Sequence, residues 1–376
     1  MAVAGMGFGA AFVPIYKHHP DVEYVGIVEP DRGRREAVAL RFDLTRTHAD
    51  LPDALAGDQY DAVHLVSPIP LHARQSLAVL NAGKHCACTV PMATSLKDIK
   101  AIIAAQRRSG RNYMMMETAV YTRQFLYVRG LASAGKIGRI QFLRGAHYQD
   151  MERWPSYWLG LPPMHYATHA VSPCLAIAGA RAVRVRCLGS GVMRESLHRQ
   201  YGNPFPVESA LFELDRPHLA MEVTRSLFHT ARSYTESFAV YGQKMSLEWP
   251  QIEEEDRPVV FRMLPANPAW RGRPVKWKRV DAPDRADLLP AEIARFTVRG
   301  RYDDTNPQKT FEVGGGHHGS HPHLVHEFVR SIVEGRKPWI DEVTAANWTI
   351  AGVCAHLSAM RGGKAVTVPE FGLAKR

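Results

Sequence analysis

No stretch of the 376 residues approaches the ~18 consecutive apolar residues that cross a bilayer, so no membrane span is expected. The N-terminus also lacks the basic head and unbroken apolar run of a secretory signal, because glycines interrupt it at once. Cysteine is scarce: five residues, an odd number, with Cys86-x-Cys88 lacking the second pair of a zinc site. A disulfide scaffold is thereby excluded, and reduced thiols in a cytoplasmic protein are expected. His317, His318, His321, His323 and His326 cluster late in the chain without a flanking cysteine or carboxylate pattern, so no metal is expected. The formal charge is +10, but 47 Lys and Arg are interleaved with 37 Asp and Glu and accompany no recognition motif, which argues against nucleic acid as a partner. Such a balance can instead attract an anionic small molecule. With 45% hydrophobic residues, a chain of 376 is too long for one core and suits two domains.

What is present begins immediately. Ala2 to Gly5 is a short apolar run, Gly5-Met6-Gly7-Phe8-Gly9-Ala10 follows, and Ala11 to Tyr16 has helical periodicity. A second β-type run, Tyr24 to Val28, ends on Glu29. This is the G-x-G-x-x-A dinucleotide fingerprint: Gly5, Gly7, Phe8 and Gly9 form the turn, and a small residue at Ala10 lets helix and strand approach. Backbone N–H groups and a positive helix end would face a pyrophosphate. The Glu29 carboxylate suits the free ribose hydroxyls of NAD and repels a 2′-phosphate. Arg32, Arg34 and Arg35 are expected in the solvated first turn of the next helix, so NAD is favoured over NADP. Only four residues precede Gly5 for a strand that is normally central, which leaves room for native residues upstream of Met1.

Strands and helices then alternate: a helix from Arg34 to Phe42, a strand from Tyr60 to Val66, and a helix from Leu71 to Asn81. A strand from His85 to Val90, a helix to Ser109 capped by Thr94 or Ser95, and a strand from Asn112 to Glu117 complete the series. That order predicts a doubly wound parallel sheet, with its ligand outside the carboxyl ends of the strands. Gly5 to Phe8, Glu29, Ser67, Pro68, Thr89, Pro91 and Glu117 would then surround one crevice. Past Tyr121 the pattern becomes a helix (Thr122 to Ala134), a strand (Ile140 to Ala146), an aromatic and proline-rich run (Trp154 to Pro163) and a helix carrying Tyr166 and His169. Consecutive strands follow at 183–188, 210–213, 219–226, 238–241 and 245–249, which suggests a largely antiparallel sheet. Residues 251–301 read as a long excursion, and two helices close the chain, at 321–333 and 343–360. The fold expected is α/β: an N-terminal Rossmann domain over 1–118, and a second α/β domain over 119–376 with a large, mostly antiparallel open sheet.

The run Asp61-Ala-Val-His-Leu-Val-Ser-Pro, then Leu71-His72, then Ala82-Gly-Lys-His85, resembles the nucleotide domain of the Gfo/Idh/MocA oxidoreductases. The resemblance implies that His72, Ser67, Pro68, Thr89 and Pro91 line the cofactor site, and that the second domain pairs into homodimers or homotetramers. The family's next strand usually ends in Glu-Lys-Pro, whose lysine assists hydride and proton transfer. This chain has Thr89-Val90-Pro91, and Val90 carries no proton. Within the family, Tyr166-x-Thr168-His169, Glu117 with Tyr121-x-Arg123, and His318-Gly319 are similar to the NAD-dependent glycosidases of the α-N-acetylgalactosaminidase and sulfoquinovosidase types.

Tyr166 and His169, three apart, would share a helix face. A histidine near neutral pKa suits the base that takes a sugar C3 hydroxyl proton as hydride departs. With C3 a ketone, the C2 proton becomes acidic and Tyr166 or its partner can remove it while the C1 group leaves. Water addition and hydride return then close a redox-neutral cycle that needs no pair of catalytic carboxylates. The resemblance thus assigns His169, Tyr166, Glu117 and Tyr121 to the chemistry. Charge and aromaticity suggest Arg123, His147, Trp158, His165 and His318 for the substrate, a sugar or glycoside that is anionic on the sulfoquinovosidase reading. Two alternatives remain open at this point: an ordinary NAD(P)-dependent sugar or polyol dehydrogenase, and a non-catalytic sensor of NAD or sugar.

Overall fold

The computed structural model describes residues 1–249, 257–269, 271–303 and 305–372. The chain forms two units: Met1–Tyr121 with Asp284–Ala346, and Thr122–Pro283 with Asn347–Glu370.

The first unit alternates β1 (Ala2–Ala4), α1 (Val13–His18), β2 (Gly26–Val28), α2 (Arg32–Phe42), β3 (Thr47–His48), α3 (Leu51–Leu55) and β4 (Ala62–Leu65). It continues through α4 (His72–Asn81), β5 (His85–Cys88), α5 (Leu96–Ser109) and β6 (Tyr113–Met115). The strands form one parallel sheet in the order β3-β2-β1-β4-β5-β6. Strands β1, β2, β4 and β6 bury every residue, as strands covered on both faces must. Ser95 accepts from the Asp98 N–H at 3.1 Å and starts α5, and Gly110 in the left-handed region ends it.

Two expectations are corrected here. The helix expected from Ala11 begins only at Val13, after a 3-10 turn over Gly9–Ala11, because Pro14 has no N–H and fits only a first helical turn. At six residues α1 offers the pyrophosphate no long helix dipole. The expected single division at 118/119 also differs from what is found, because Asp284–Ala346 returns to the first unit. Ile293, Phe296, Val325 and Val329 are buried in one cluster with Val3, Phe12, Ile15 and Ile27, so late segments complete an early core.

The second unit comprises α6 (Arg123–Ser133), β7 (Ile140–Tyr148), α7 (Thr168–Ala178), β8 (Ala182–Ser190), α8 (Glu195–His198), β9 (Val207–Leu214), β10 (Ala220–Ser226), β11 (Thr235–Gly242) and β12 (Met245–Glu248). A hairpin of β13 (Val259–Met263) and β14 (Val275–Arg279) follows, where the sequence had suggested an irregular excursion; its residues 251–256 lie outside those described. β14 is exposed throughout, so it lacks the apolar alternation that marks a half-buried strand. Later elements are α9 (Ala291–Ala294), β15 (Gly300–Arg301), β16 (Glu312–Val313), α10 (Gly316–Val333), α11 (Glu342–Ala359) and β17 (Val366–Thr367). The large sheet runs β14-β13-β12-β11-β7-β10-β9-β8-β17, and only β7 and β10 pair in parallel. Gly145 on β7 is where α7 seats on this sheet: a Cβ there would lie 2.1 Å from the Ala170 carbonyl oxygen. Among the described residues, no helix is long and apolar enough to cross a membrane.

Candidate active site

In the first unit the chain turns sharply after β1. Gly5 has φ +95°, and a Cβ on it would lie 2.6 Å from the Val66 carbonyl oxygen, so only glycine fits. Gly7 differs: a Cβ on it would meet nothing within 4 Å, so this part of the turn faces open space. Gly7 and Phe8 are exposed, and among the described residues their backbone N–H groups take no protein acceptor, as an anion cradle requires. Glu29, 3% exposed, braces the loop from below: its carboxylate accepts from the Met6 N–H at 2.8 Å and the Asp31 N–H at 3.0 Å. Two carboxylate oxygens offer about four acceptor positions, so capacity for a ribose diol remains. The residues therefore fit a dinucleotide.

Arg34 lies 3.5 Å from Glu29, while Arg32 pairs with Glu36 and Arg35 bonds the Glu29 carbonyl. We expect Glu29→Ala to weaken NADH binding about tenfold or more, the scale of a hydrogen bond to a charged group, and to narrow the preference over NADPH. Fluorescence titration of both nucleotides measures it, and equal affinities in the unaltered protein would show that Glu29 does not discriminate.

The ends of β4 and β5 meet through His72, which is buried and bonds the carbonyls of Pro91 and Ser67 at 2.7 and 2.8 Å. The Ser67 hydroxyl bonds Gln75, the Thr89 hydroxyl donates to the Leu65 carbonyl at 3.2 Å, and the Val90–Pro91 bond is cis. Glu117 is fully buried, and its carboxylate accepts the Ala119 N–H at 3.0 Å, capping the turn that leads to Tyr121. Tyr121 packs edge-on against Trp339, a partner not anticipated. The loop from Gly314 to Gly319 holds His317 and His318 in the left-handed region, at φ 44° and 54°, a strain of about 1 kcal/mol or more each. The His317 ring lies 5.4 Å from Phe8, so the late histidine loop packs on the glycine turn. Among the described residues no group of histidines, cysteines or carboxylates is arranged to hold a metal.

In the second unit Tyr166 and His169 do not share one helix as expected. Tyr166 ends a 3-10 turn over Pro163–Tyr166 and His169 lies in the first turn of α7, yet the Tyr166 hydroxyl and His169 Nε2 are 3.1 Å apart. Trp158 stands edge-on to Tyr166 at 4.8 Å between centroids, and His147 stands edge-on to His169 at 5.3 Å. Beneath them, register builds a row of which sequence reading named only His147. Glu208 faces Arg225, Arg225 faces His147, and His147 faces Glu236 across β9, β10, β7 and β11, a transverse row of four buried ionisable side chains. Glu236 Oε1 lies 3.8 Å from His169 Nε2 and receives the hydroxyl of Tyr234. Burial and the Glu236 carboxylate hold the Tyr234 phenol well above its usual range, so it donates and does not ionise. Arg225 spends its donors on the protein: the carbonyls of Tyr166, His147 and Ser226 and the amide oxygen of Gln149.

Two further residues were assigned to the substrate. His165 packs at 4.8 Å on His356, which bonds Glu208 at 2.7 Å, and burial with that neighbour pushes His165 down to about 3. Arg123 opens α6, and Thr122 caps that helix.

Residues 1–117 match the Gfo/Idh/MocA oxidoreductase family, described as having an NAD-binding Rossmann fold. This chain is also 30% identical over 178 residues to a 4-carboxy-2-hydroxymuconate-6-semialdehyde dehydrogenase of a Sphingobium species, spanning 46% of this chain and 56% of that protein. A glycosyl hydrolase family 109 protein of Porphyromonas gingivalis is 26% identical over 411 residues, which cover 99% of this chain and 84% of that one. The crystal structure of an NAD binding oxidoreductase from Klebsiella pneumoniae superposes with a TM-score of 0.77 over 98% of each chain at 19% identity, and shares the fold.

Proposed function

We propose that this chain is a Gfo/Idh/MocA oxidoreductase and that it oxidises a pyranoside at C3 within a redox-neutral glycosidase cycle. The observation that carries the reading is the buried cluster of Tyr166, His169, Glu236 and Tyr234. NAD, held by the Gly5–Gly9 turn and Glu29, would supply the hydride acceptor and return the hydride at the end of the cycle. His169 takes the proton of the C3 hydroxyl, and the Glu236 carboxylate stabilises the imidazolium that forms. Tyr234 keeps that carboxylate aimed at His169. Tyr166 serves the C2 proton, whose loss expels the C1 group, and water then adds at C1.

An uncharged sugar fits this cluster better than the anionic one suggested by overall charge. Arg225 is committed to protein oxygens and Glu236 adds a carboxylate, so an anion entering the cluster would meet net repulsion. The relative of Porphyromonas gingivalis supports a glycosidase, and the Sphingobium relative, a dehydrogenase by name, supports the second reading of a simple NAD-dependent oxidation. Incubation with a panel of neutral and anionic glycosides, following free sugar and NADH absorbance together, separates them. Sugar release from neutral substrates without net NADH is the expected result, and stoichiometric NADH with an intact ketone would establish the second.

A further inference from the structure

Both ring nitrogens of His72 meet main-chain carbonyls, Nδ1 at Pro91 and Nε2 at Ser67. A carbonyl has no proton to give, so each nitrogen must donate, and only the imidazolium carries two N–H groups. The Thr89 hydroxyl lies within reach of both the Leu65 carbonyl, at 3.2 Å, and Nε2, at 3.4 Å, but the Ser67 carbonyl at 2.8 Å is the nearer partner of Nε2. Burial alone would lower the pKa of His72, but the neighbouring Cys88 and the two carbonyls outweigh it and hold the ring at about 9. No carboxylate is among its partners, and Cys88 is the one ionisable side chain that acts on the ring. His72 is also the first residue of α4, whose positive end adds to the field.

The place of this charge gives it a consequence. Strand order divides the sheet into two mononucleotide halves, and Glu29 on the β2 side marks the adenosine half. Ser67 and Pro91 follow β4 and β5, at the carboxyl ends of the other half. The nicotinamide ring that this half would receive is a cation when oxidised and neutral when reduced. We propose that His72 is a permanent buried cation that biases the cofactor site toward the reduced dinucleotide, making the bound oxidised form a stronger hydride acceptor. This rests on the assignment of NAD to the first unit.

The test needs no turnover. In the unaltered protein, long-range ¹H–¹⁵N spectra should show both His72 ring nitrogens protonated at pH 7, and a neutral tautomer there would overturn the proposal. Dissociation constants for NADH, NAD⁺ and ADP-ribose are then compared between the unaltered protein and His72→Asn, a neutral donor. The NAD⁺-to-NADH ratio of constants should fall about fivefold, the scale of one charge acting through a partly polarisable interior, while ADP-ribose changes less than twofold. An unchanged ratio in a variant that still binds ADP-ribose would refute the charge effect. If His72→Asn binds no ADP-ribose, the protonation state in the unaltered protein decides. Failure of the unaltered protein to bind any of the three would instead refute the cofactor assignment.

Discussion

Replacing His169 with alanine is expected to lower kcat/KM about 10²- to 10⁴-fold, the range that a positioned general base supplies. NADH affinity should stay within twofold, because the glycine turn and Glu29 belong to the first unit and His169 to the second. The same base predicts a pH profile. Glu236 favours the protonated imidazole, so Glu236→Gln should move the acidic limb of kcat/KM to lower pH and reduce kcat, and Glu236→Asp should restore part of both. Turnover within tenfold of normal in His169→Ala would remove this histidine from the chemistry, whatever substrate is found.

The largest expected loss of stability is at Arg225. Its side chain is fully buried, and burial lowers its pKa only to about 10, so it stays charged at neutral pH. In Arg225→Met the carbonyls of Tyr166, His147 and Ser226 and the Gln149 amide lose their donor together, and the buried row loses its one fixed positive charge. Breaking such a network by removing one partner costs about 3–5 kcal/mol, which for a unit of this size lowers the melting temperature by roughly ten degrees. Calorimetry measures it, and a change under 1 kcal/mol would mean that water replaces the guanidinium. Because Arg225 Nε holds the Tyr166 carbonyl at 2.9 Å, activity should fall even where folded protein survives.

The first unit was legible because its signals are local. The Ser95 cap and the strand-helix alternation depend on neighbours within a few residues, while Gly5 and Glu29 belong to a motif of fixed spacing even though they meet Val66 and Met6 across the fold. The second site was legible only in part. Tyr166 and His169 are three apart and were seen, but Arg225 and Glu236 join them through strand register, which no local pattern carries. A trace was present even so: Arg225 falls in step with Met221 and Val223 on β10, the alternate positions that point inward, and a charged residue in such a row is a buried one. His165 was assigned to the substrate on charge, and no sequence pattern announced its ring contact with His356. The hairpin of β13 and β14 was missed in part because β14, made of exposed Val, Lys, Trp and Arg, has no inward face to announce it.

The return of Asp284–Ala346 to the first unit sets an order on biosynthesis. When Tyr121 leaves the ribosome, Val3, Phe12 and Ile27 still await Phe296, Val325 and Val329, residues not yet translated. At about 5–20 residues per second that wait is roughly ten seconds or longer, during which the nascent nucleotide fold exposes apolar surface. The second unit, nested in the interval, is made in full before the last helices can close the first, so the half that emerges earliest is the last to complete its core.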